Sequence, residues 1–534
     1  GGIGGDISVG PFDFTPAFIQ GANGTGGEVS VTLADGTITT TGDMAHGIIA
    51  QSIGGGGGIG GDSSGVFAGS TSGDVGSAFG ASDVTVTTDG AISATGANSI
   101  GIFAQSMGGG NTGDTLGTVA VNVSADVTGG SGSGAGIVVA SGNANTVTIT
   151  NGATVSAASG TSIKYTSNGT TTDGSTTDVL VEDGTVVGDI LLKNASGNTA
   201  GTVTNNSQNS LIGARRYAAH VVNNGRMVIG DDGAGDVLRI TGDLRQKRNG
   251  SIIAGVDFAD PSKSDNLRVG GDAKLNGRLL FDTHQLMRDT TVDLIAVDGA
   301  LTGNLEAVNS RAVDFATSRT GNALSVRVAD TNFAGAFGDL TPDQASVGGH
   351  LDAIYANGSP EYALLLGAIN GLAGQGADVA GYAQALSSLS PGASQAMAAS
   401  QTALSKSRLD GAMRCPTGLS ATVAGDSQRC VWLDGGGSRF SQSGDIGYDG
   451  RIYGFNGGAQ YDFEDGWIGG FSGGYQHSSY DDDTGMANAD GDTGFLAFAL
   501  GRELGNLTLS GAVAGTWGSF DTTRTVTAPG INST

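Results

Sequence analysis

Gly36 to Gly56 reads GTITTTGDMAHGIIAQSIGGG, and Gly90 to Gly110, 54 positions on without a gap, reads GAISATGANSIGIFAQSMGGG. One unit has been copied. An alternating segment precedes each copy, Val29-Ser30-Val31-Thr32 in the first and Val84-Thr85-Val86-Thr87 in the second, and a glycine run follows each. Within the unit, runs of period two (Thr-Ile-Thr or Ala-Ile-Ser, then Gly-Ile-x-Ala-Gln-Ser) are broken by Gly, Asn and Asp, which spells short strands joined by turns. A single turn of this kind cannot bury its apolar face. Stacked turns can, because each rung covers the Val, Ile and Ala of the last and pairs its amides, so the repeat predicts a right-handed parallel β-solenoid. Weaker rungs continue it at Val147-Thr148-Ile149-Thr150-Asn151-Gly152-Ala153 and Val179-Leu180-Val181-Glu182-Asp183-Gly184-Thr185. Gly1 to Asp6 recurs as Gly57 to Asp62, so the sequence is expected to begin inside a repeat of a protein extending further toward its N-terminus.

Composition agrees with such a rod. Of 534 residues 97 are Gly, 8 Pro and 2 Cys, and 51 acidic against 25 basic residues leave a net charge of −26. Glycine is more than twice its roughly 7% average usage, and the charged fraction falls well short of about 25%. Glycine does not recur every third residue, which excludes collagen, and 38% hydrophobic residues exclude a charge-rich disordered chain. An ordinary helical cytosolic enzyme does not fit either. From residue 1 to 210 the only basic residues are Lys164 and Lys193, against 16 acidic ones. That predicts a solvated acidic rod, and so acidic a chain is not expected to bind nucleic acid. Two cysteines exclude a disulfide framework or a zinc site of four thiolates. No apolar run approaches the roughly 20 residues of a membrane helix, so contact with lipid needs another architecture.

After about residue 211 basic residues enter among Leu and Val, beginning with Arg215, Arg216, Arg226, Arg239, Arg245, Lys247 and Arg248. Two phrases read as rungs with larger aliphatic residues: Leu238-Arg239-Ile240-Thr241-Gly242-Asp243-Leu244, and Ser264-Asp265-Asn266-Leu267-Arg268-Val269-Gly270-Gly271-Asp272-Ala273-Lys274-Leu275-Asn276-Gly277-Arg278-Leu279. Here the chain resembles the pertactin-like end of the passenger of bacterial autotransporters, whose phrase SD-x-L-x-V-x-G-x-A-x-L-x-G is implied to close the β-helix and assist its folding. From Thr341 to Met413 the period becomes helical. Tyr362, Ala363, Leu365, Leu366, Ile369 and Leu372 mark one helix, Tyr382, Ala383, Ala385 and Leu386 a second, and Pro391 starts a third running to about Arg408. The phrase Leu386 to Ala393 resembles the segment that enters an autotransporter barrel.

The last hundred residues return to period two. Tyr453, Phe455, Gly457, Ala459, Tyr461 and Phe463 alternate with mostly polar or small residues, and Trp467, Gly469, Phe471, Gly473 and Tyr475 repeat the pattern after the turn Glu464-Asp465-Gly466. Leu507, Leu509, Gly511, Val513, Gly515 and Trp517 repeat it again, and Gly494 to Arg502 holds Leu496, Phe498 and Leu500. Aromatics near strand ends, and one short turn beside a long polar excursion from Tyr480 to Asp492, favour a transmembrane β-barrel over a soluble antiparallel sheet. The expected lipid-facing set is Tyr453, Phe455, Tyr461, Phe463, Trp467, Phe471, Tyr475, Leu507, Leu509, Val513 and Trp517. Residues 448–492 resemble the opening strands of the autotransporter β-domain. About five strands fit after Cys430, fewer than the family's twelve, so the sequence is expected to be cut short at both ends. Cys415 and Cys430 enclose a loop before the first barrel strand, and in an exported protein a disulfide is expected there, with two free thiols as the alternative.

Other motifs carry less. Gly61-Asp62-Ser63-Ser64-Gly65 fits a nucleophile elbow but lacks the flanking strand and helix, and the nearby His46 is replaced by Ile100 in the second copy. Gly57 to Asp62 matches the start of a calcium nonapeptide without the next one that completes the cage. No catalytic residue, metal site or cofactor is therefore assigned. The resulting expectation is a mainly β protein: solenoid over residues 1–215, pertactin-like region over 216–335, helical linker and pre-barrel loop over 336–429, and partial barrel over 430–534. The resemblance implies outer-membrane lipid and the barrel-assembly machinery as partners, with the passenger displayed at the cell surface. Repetition favours adhesion to a host or neighbouring-cell surface. A passenger enzyme acting on carbohydrate or protein, its site further toward the N-terminus, is the alternative. No Asn pair of the kind used for self-cleavage occurs in Gln401 to Met413, which favours a passenger that stays attached.

Overall fold

The computed structural model describes residues 25–54, 80–108, 115–167, 175–193, 197–213, 215–230, 235–390, 392–413, 421–425, 429–443, 447–463, 466–483, 485–505 and 507–533. They form two compact units, one built on the solenoid and one on helices and a C-terminal sheet. The elbow-like Gly61 to Gly65 and the calcium-like Gly57 to Asp62 lie outside the described residues.

In the solenoid unit, three sheets of 10, 10 and 11 strands take one parallel strand per turn, the last two strands of the third lying beyond the parallel stack. The copied unit explains why the first two turns stack. Thr37 to Thr40 pairs with Ala91 to Ala94, and Ile48 to Ile53 with Ile102 to Met107, each residue lying on its own counterpart 54 positions away. Gln51 Nε2 donates to Gln105 Oε1 at 2.8 Å across that stack. His46 Nδ1 accepts the amide of Ile100 at 2.9 Å, so the residue that replaces this histidine in the next copy is also its hydrogen-bond partner. Later turns are shorter but keep the register. One interior column runs Val31, Val86, Val121, Val147, Val179, Val203, Val221, Leu244, Ala273 and Leu301. From Val86 onward every member is buried. A fully buried aliphatic side chain contributes about 1.5–3 kcal/mol, and here each is covered only when its neighbour has folded.

Glycine sets how closely turns approach. A Cβ at Gly96 would collide with the Gly42 carbonyl oxygen, and one at Gly130 with that of Gly96, so this column admits no side chain. The acidic residues coat the rod and also bond it, since most of those that follow are exposed. Asp83, Asp126, Asp178, Asp189, Asp243 and Asp272 each accept, through Oδ1, a backbone amide of the following turn at 2.7–2.9 Å, from Thr118, Thr154, Thr202, Arg216, Asp272 and Ala300. Part of the acidity is therefore turn chemistry, satisfying amides that the bend removes from the sheet ladder.

The Ser264-Asp265 phrase is a clamp of the same kind. Asp265 is buried and accepts amides of Gly235 and Asp236 at 3.0 Å and of Gly255 at 2.6 Å, while Ser264 Oγ accepts the Asp257 amide at 2.8 Å. Inside, Asn205 Nδ2 donates to Asn223 Oδ1 at 2.7 Å and Asn223 Nδ2 to Gln246 Oε1 at 2.8 Å, a fully buried amide ladder. The parallel stack ends where Thr291–Val297 pairs antiparallel with Ala323–Thr331, with Val313–Thr320 on the outer side.

The second unit contains most of the helical segment. α1 (Pro342–Asn357) starts in a reciprocal cap, Thr341 amide to Gln344 Oε1 at 2.9 Å and Gln344 amide to Thr341 Oγ1 at 3.3 Å. α2 (Ala363–Gly371) and α3 (Val379–Leu389) follow, then α4 (Gly392–Met413). The helical expectation thus holds from Pro342, with α1 an additional helix before the three read from sequence. An antiparallel sheet completes the unit in the order β1 (Ala421–Gly425), β2 (Cys430–Gln442), β3 (Tyr448–Phe463), β4 (Trp467–Asp482), β5 (Ala487–Leu504) and β6 (Leu507–Arg524).

Replacing Asn223 by Ala strands the Asn205 and Gln246 side-chain groups in the core. A loss of about 2 kcal/mol in urea unfolding is expected, since each unsatisfied buried polar group costs about 1–3 kcal/mol. Asp265 gives a pH test. Burial raises its pKa above the ordinary carboxyl value, outweighing the three amide donors that lower it. A raised folded pKa means the native state binds the proton more tightly. Its contribution to stability is thus fully present below the unfolded value of about 3.9 and declines as pH rises through the folded value. Asp265→Asn should remove that slope from unfolding free energies measured between pH 4 and neutrality; an unchanged slope contradicts the assignment.

Candidate functional site: the barrel wall and its inner helix

The long strands pair residue for residue, which fixes two faces. On β3 to β6 every outward position from Tyr453 to Phe463, Trp467 to Tyr475, Gly494 to Leu500 and Leu507 to Trp517 is aromatic, aliphatic or glycine. One row across the sheet is Val431, Ala459, Phe471, Phe498 and Val513. All eleven residues expected to face lipid are exposed: Tyr453, Phe455, Tyr461, Phe463, Trp467, Phe471, Tyr475, Leu507, Leu509, Val513 and Trp517, with Val513 at 67%. Leu496, Phe498 and Leu500 share the face, as do Val431 and Leu433, which the sequence reading missed because Gly435 to Gly437 interrupts the alternation of β2.

The band has two aromatic edges, Tyr453, Tyr475 and Trp517 at one and Tyr461, Phe463 and Trp467 at the other. Along β3 they are ten residues apart. That is about 33 Å of strand, or about 25 Å of height at a tilt near 40°, the thickness of an outer-membrane apolar belt. Charge begins at the edges. The Arg502 guanidinium lies 5.1 Å from the Trp467 ring centre and that of Arg429 5.2 Å from Tyr461. At the opposite edge Tyr475 Oη donates to Asp492 at 2.5 Å and His477 Nδ1 lies 2.8 Å from the same carboxylate. The excursion from Tyr480 to Asp492 is not a long loop. β4 and β5 run on past the apolar band, pairing Tyr480 with Ala489 and His477 with Asp492, because Tyr480, Ala487 and Ala489 are buried on the inner face.

The inner face is mostly polar or small, with Trp432, Tyr480 and Phe495 among its buried residues, and it holds α4. Arg408, only 5% exposed, donates to Gln476 Oε1 at 3.1 Å, to Thr516 Oγ1 at 3.3 Å and to Gln401 Oε1 of its own helix at 3.2 Å. Its guanidinium sits 5.1 Å from the Phe495 ring centre, and Ser472 Oγ donates to its carbonyl at 3.3 Å. One end of the helix is fixed where Ser400 bonds Tyr480 and where Met397, like Phe440, Tyr448 and Phe520, packs against the Tyr480, Ala487 and Ala489 cluster. Toward the other end, a Cβ at Gly470 would collide with the Ala412 carbonyl, so glycine in the wall admits the helix backbone. A cavity of about 300 Å³ remains between helix and wall, lined by Gln401, Ser405, Arg408, Thr493 and Thr516 among others. A sheet apolar outside, polar inside and filled by a helix is the wall of a membrane barrel.

Residues 431–534 match the family model described as Autotransporter beta-domain. Over these residues the chain is similar to an autotransporter β-domain. Such a domain implies type V secretion, with the barrel inserted in the outer membrane and a passenger exported. No curated protein and no solved structure matches the chain. Cys430 is buried and disulfide-bonded, and Cys415 lies outside the described residues. Among the described residues no three or more His, Cys, Asp or Glu side chains converge on a metal position, and no helix is long and apolar enough to cross a membrane.

Phe498 lies at the centre of the apolar band, so Phe498→Arg should cost about 2–4 kcal/mol of folding in lipid, while Asn456→Lys on the inner face, paired with Asp434, should cost under about 1. Urea titration of the heat-modifiable band in vesicles measures both. Equal losses would show that the outer face is not in lipid.

Proposed function

We propose that the β-domain inserts in the outer membrane with the assistance of the barrel-assembly machinery and exports the solenoid, which stays attached and acts at the cell surface as an adhesive rod. The observation that carries this reading is α4 on the polar inner face of the sheet, held by Arg408, on the chain segment that links solenoid and barrel strands. Outer-membrane lipid contacts the apolar band, and Cys415 and Cys430 form a disulfide that ties the segment carrying β1 to β2, as suits an oxidising compartment. The solenoid itself supplies a drive for transport that needs no nucleotide. A turn that docks on a folded turn buries its apolar column and pairs its amides, and so resists sliding back.

Repetition supports adhesion over catalysis. Reaction chemistry needs one unique constellation of groups, whereas successive turns offer a periodic face suited to many weak contacts. The ligand-bearing surface is that of the pertactin-like and repeat regions, facing a host or neighbouring cell.

Expressed in cells, the protein should fractionate with outer membranes and show heat-modifiable gel mobility. Protease added to intact cells should remove the solenoid and leave the strands of residues 430–524 protected. A soluble protein, or a solenoid shielded until the cells are lysed, would sink the proposal.

A further inference from the structure

Basic residues are nearly missing from the first 210 positions and then gather on particular columns of the stack. In the sheet that contains Arg216–Ala218, Arg216 is paired with Arg239 and Arg239 with Arg268, on three successive turns. Parallel strands lie about 4.8 Å apart, so three guanidinium groups follow one another over about 10 Å. The alternation fixes their direction. Tyr217, Leu238, Ile240, Leu267 and Val269 point into the core, which leaves the arginines outside. The column starts beside Asp189 and ends at Ala296. Asp189 cannot neutralise it, because its carboxylate already takes the Arg216 amide at 2.8 Å and the Arg215 guanidinium at 3.3 Å. Among the described residues no carboxylate forms an ion pair with Arg216, Arg239 or Arg268, and Arg216 Nε is buried with no hydrogen-bond partner. On the sheet that follows in the chain, Arg245 pairs with Lys274 on two of the same turns.

Like charges one strand apart repel, and a planar guanidinium is built to take a carboxylate or sulfate through two parallel hydrogen bonds. We propose that the Arg216, Arg239 and Arg268 column binds a linear acidic polysaccharide, with anionic groups spaced one or two turns apart. The proposal rests on the solenoid being a displayed binding rod and names the chemistry it would recognise. Charge contrast supplies selectivity. The acidic turns of the first 210 residues repel a polyanion, and screening over about 8 Å confines the attraction to the arginine column. The column is a flat β-face with Val237 as its one exposed large apolar neighbour, too little for membrane insertion, and it carries no aromatic on which a nucleic-acid base would stack.

The test uses the full chain purified in detergent, with heparin as the probe, so that a failure to bind leaves the membrane and display readings standing. Arg239→Gln with Arg268→Gln should raise the half-saturating heparin concentration by about tenfold or more, as expected for loss of two charge-assisted bidentate contacts. Arg226→Gln with Arg278→Gln removes the same charge from a column interrupted by Ser251 and should change binding less than about twofold. Arg239→Lys with Arg268→Lys should recover only part of the loss, and all three proteins should keep the wild-type circular dichroism spectrum. Equal losses in the two Gln pairs, no heparin binding by the wild type, or equally tight binding to phosphatidylglycerol vesicles or single-stranded DNA would each overturn the proposal.

Discussion

A β-strand points all of its backbone donors and acceptors sideways, half toward each edge, and both units of this protein are answers to that constraint. In the solenoid the partner is the next turn, in water, through parallel ladders repeated down three sheets. In the C-terminal unit the partner is the next hairpin strand, at a depth where lipid offers no substitute donor or acceptor. One chain thus uses two geometries of a single interaction, and the side-chain patterns follow from which solvent each face must meet. In the solenoid the apolar residues point inward, to Val147 and Ile149. In the wall they point outward, to Phe471 and Val513, and the polar groups turn in.

Small residues make both packings possible. Gly42, Gly96 and Gly130 let turns of the rod meet backbone to backbone, and Gly470 lets α4 touch the wall the same way. The cost of so much glycine is conformational entropy, which the fold offsets by specific bonds at the corners. There the aspartates matter more than their charge suggests. Asp243 accepts the Asp272 amide and Asp272 that of Ala300, a relay of carboxylates that stitches three turns at a corner beside the backbone bonds between them. A net charge of −26 is therefore partly a by-product of how the turns are closed.

The parts of this fold legible from sequence are those that repeat with a fixed period. A unit copied 54 positions on announces stacked turns, and the alternation of Tyr453, Phe455, Tyr461 and Phe463 announces a two-faced strand. What stayed hidden depends on contacts between positions far apart in sequence. Arg408 reads as an ordinary helix residue until Gln476 and Thr516 close around it, and Asp265 as one more surface acid until Gly235 and Gly255 aim their amides at it. The stretch from Tyr480 to Asp492 misleads for a related reason. Its outward residues are polar because the strands have left the apolar band, so from sequence the stretch reads as a polar excursion, while the buried Ala487 and Ala489 keep the strand period on the other face.

The two ends of the rod differ in what holds them, and this bears on the order in which it folds. The first described turn is half-exposed, and those after it are filled mainly by Val, Ile and Ala. The later turns add Tyr217, Phe258, Leu267 and Leu279, the Asn205, Asn223 and Gln246 ladder, the Asp265 clamp and an antiparallel end at Thr291–Val297. Stability in a stacked array is a sum of turn and neighbour terms, so the segment with the strongest terms is where a nucleus forms at least cost. Turns nearer the N-terminus, too weak in small residues and glycine to fold alone, then add to a finished edge. A gradient of this direction lets a chain remain extended until its C-terminal turns have room to fold, and thereafter makes each added turn favourable without any external source of energy.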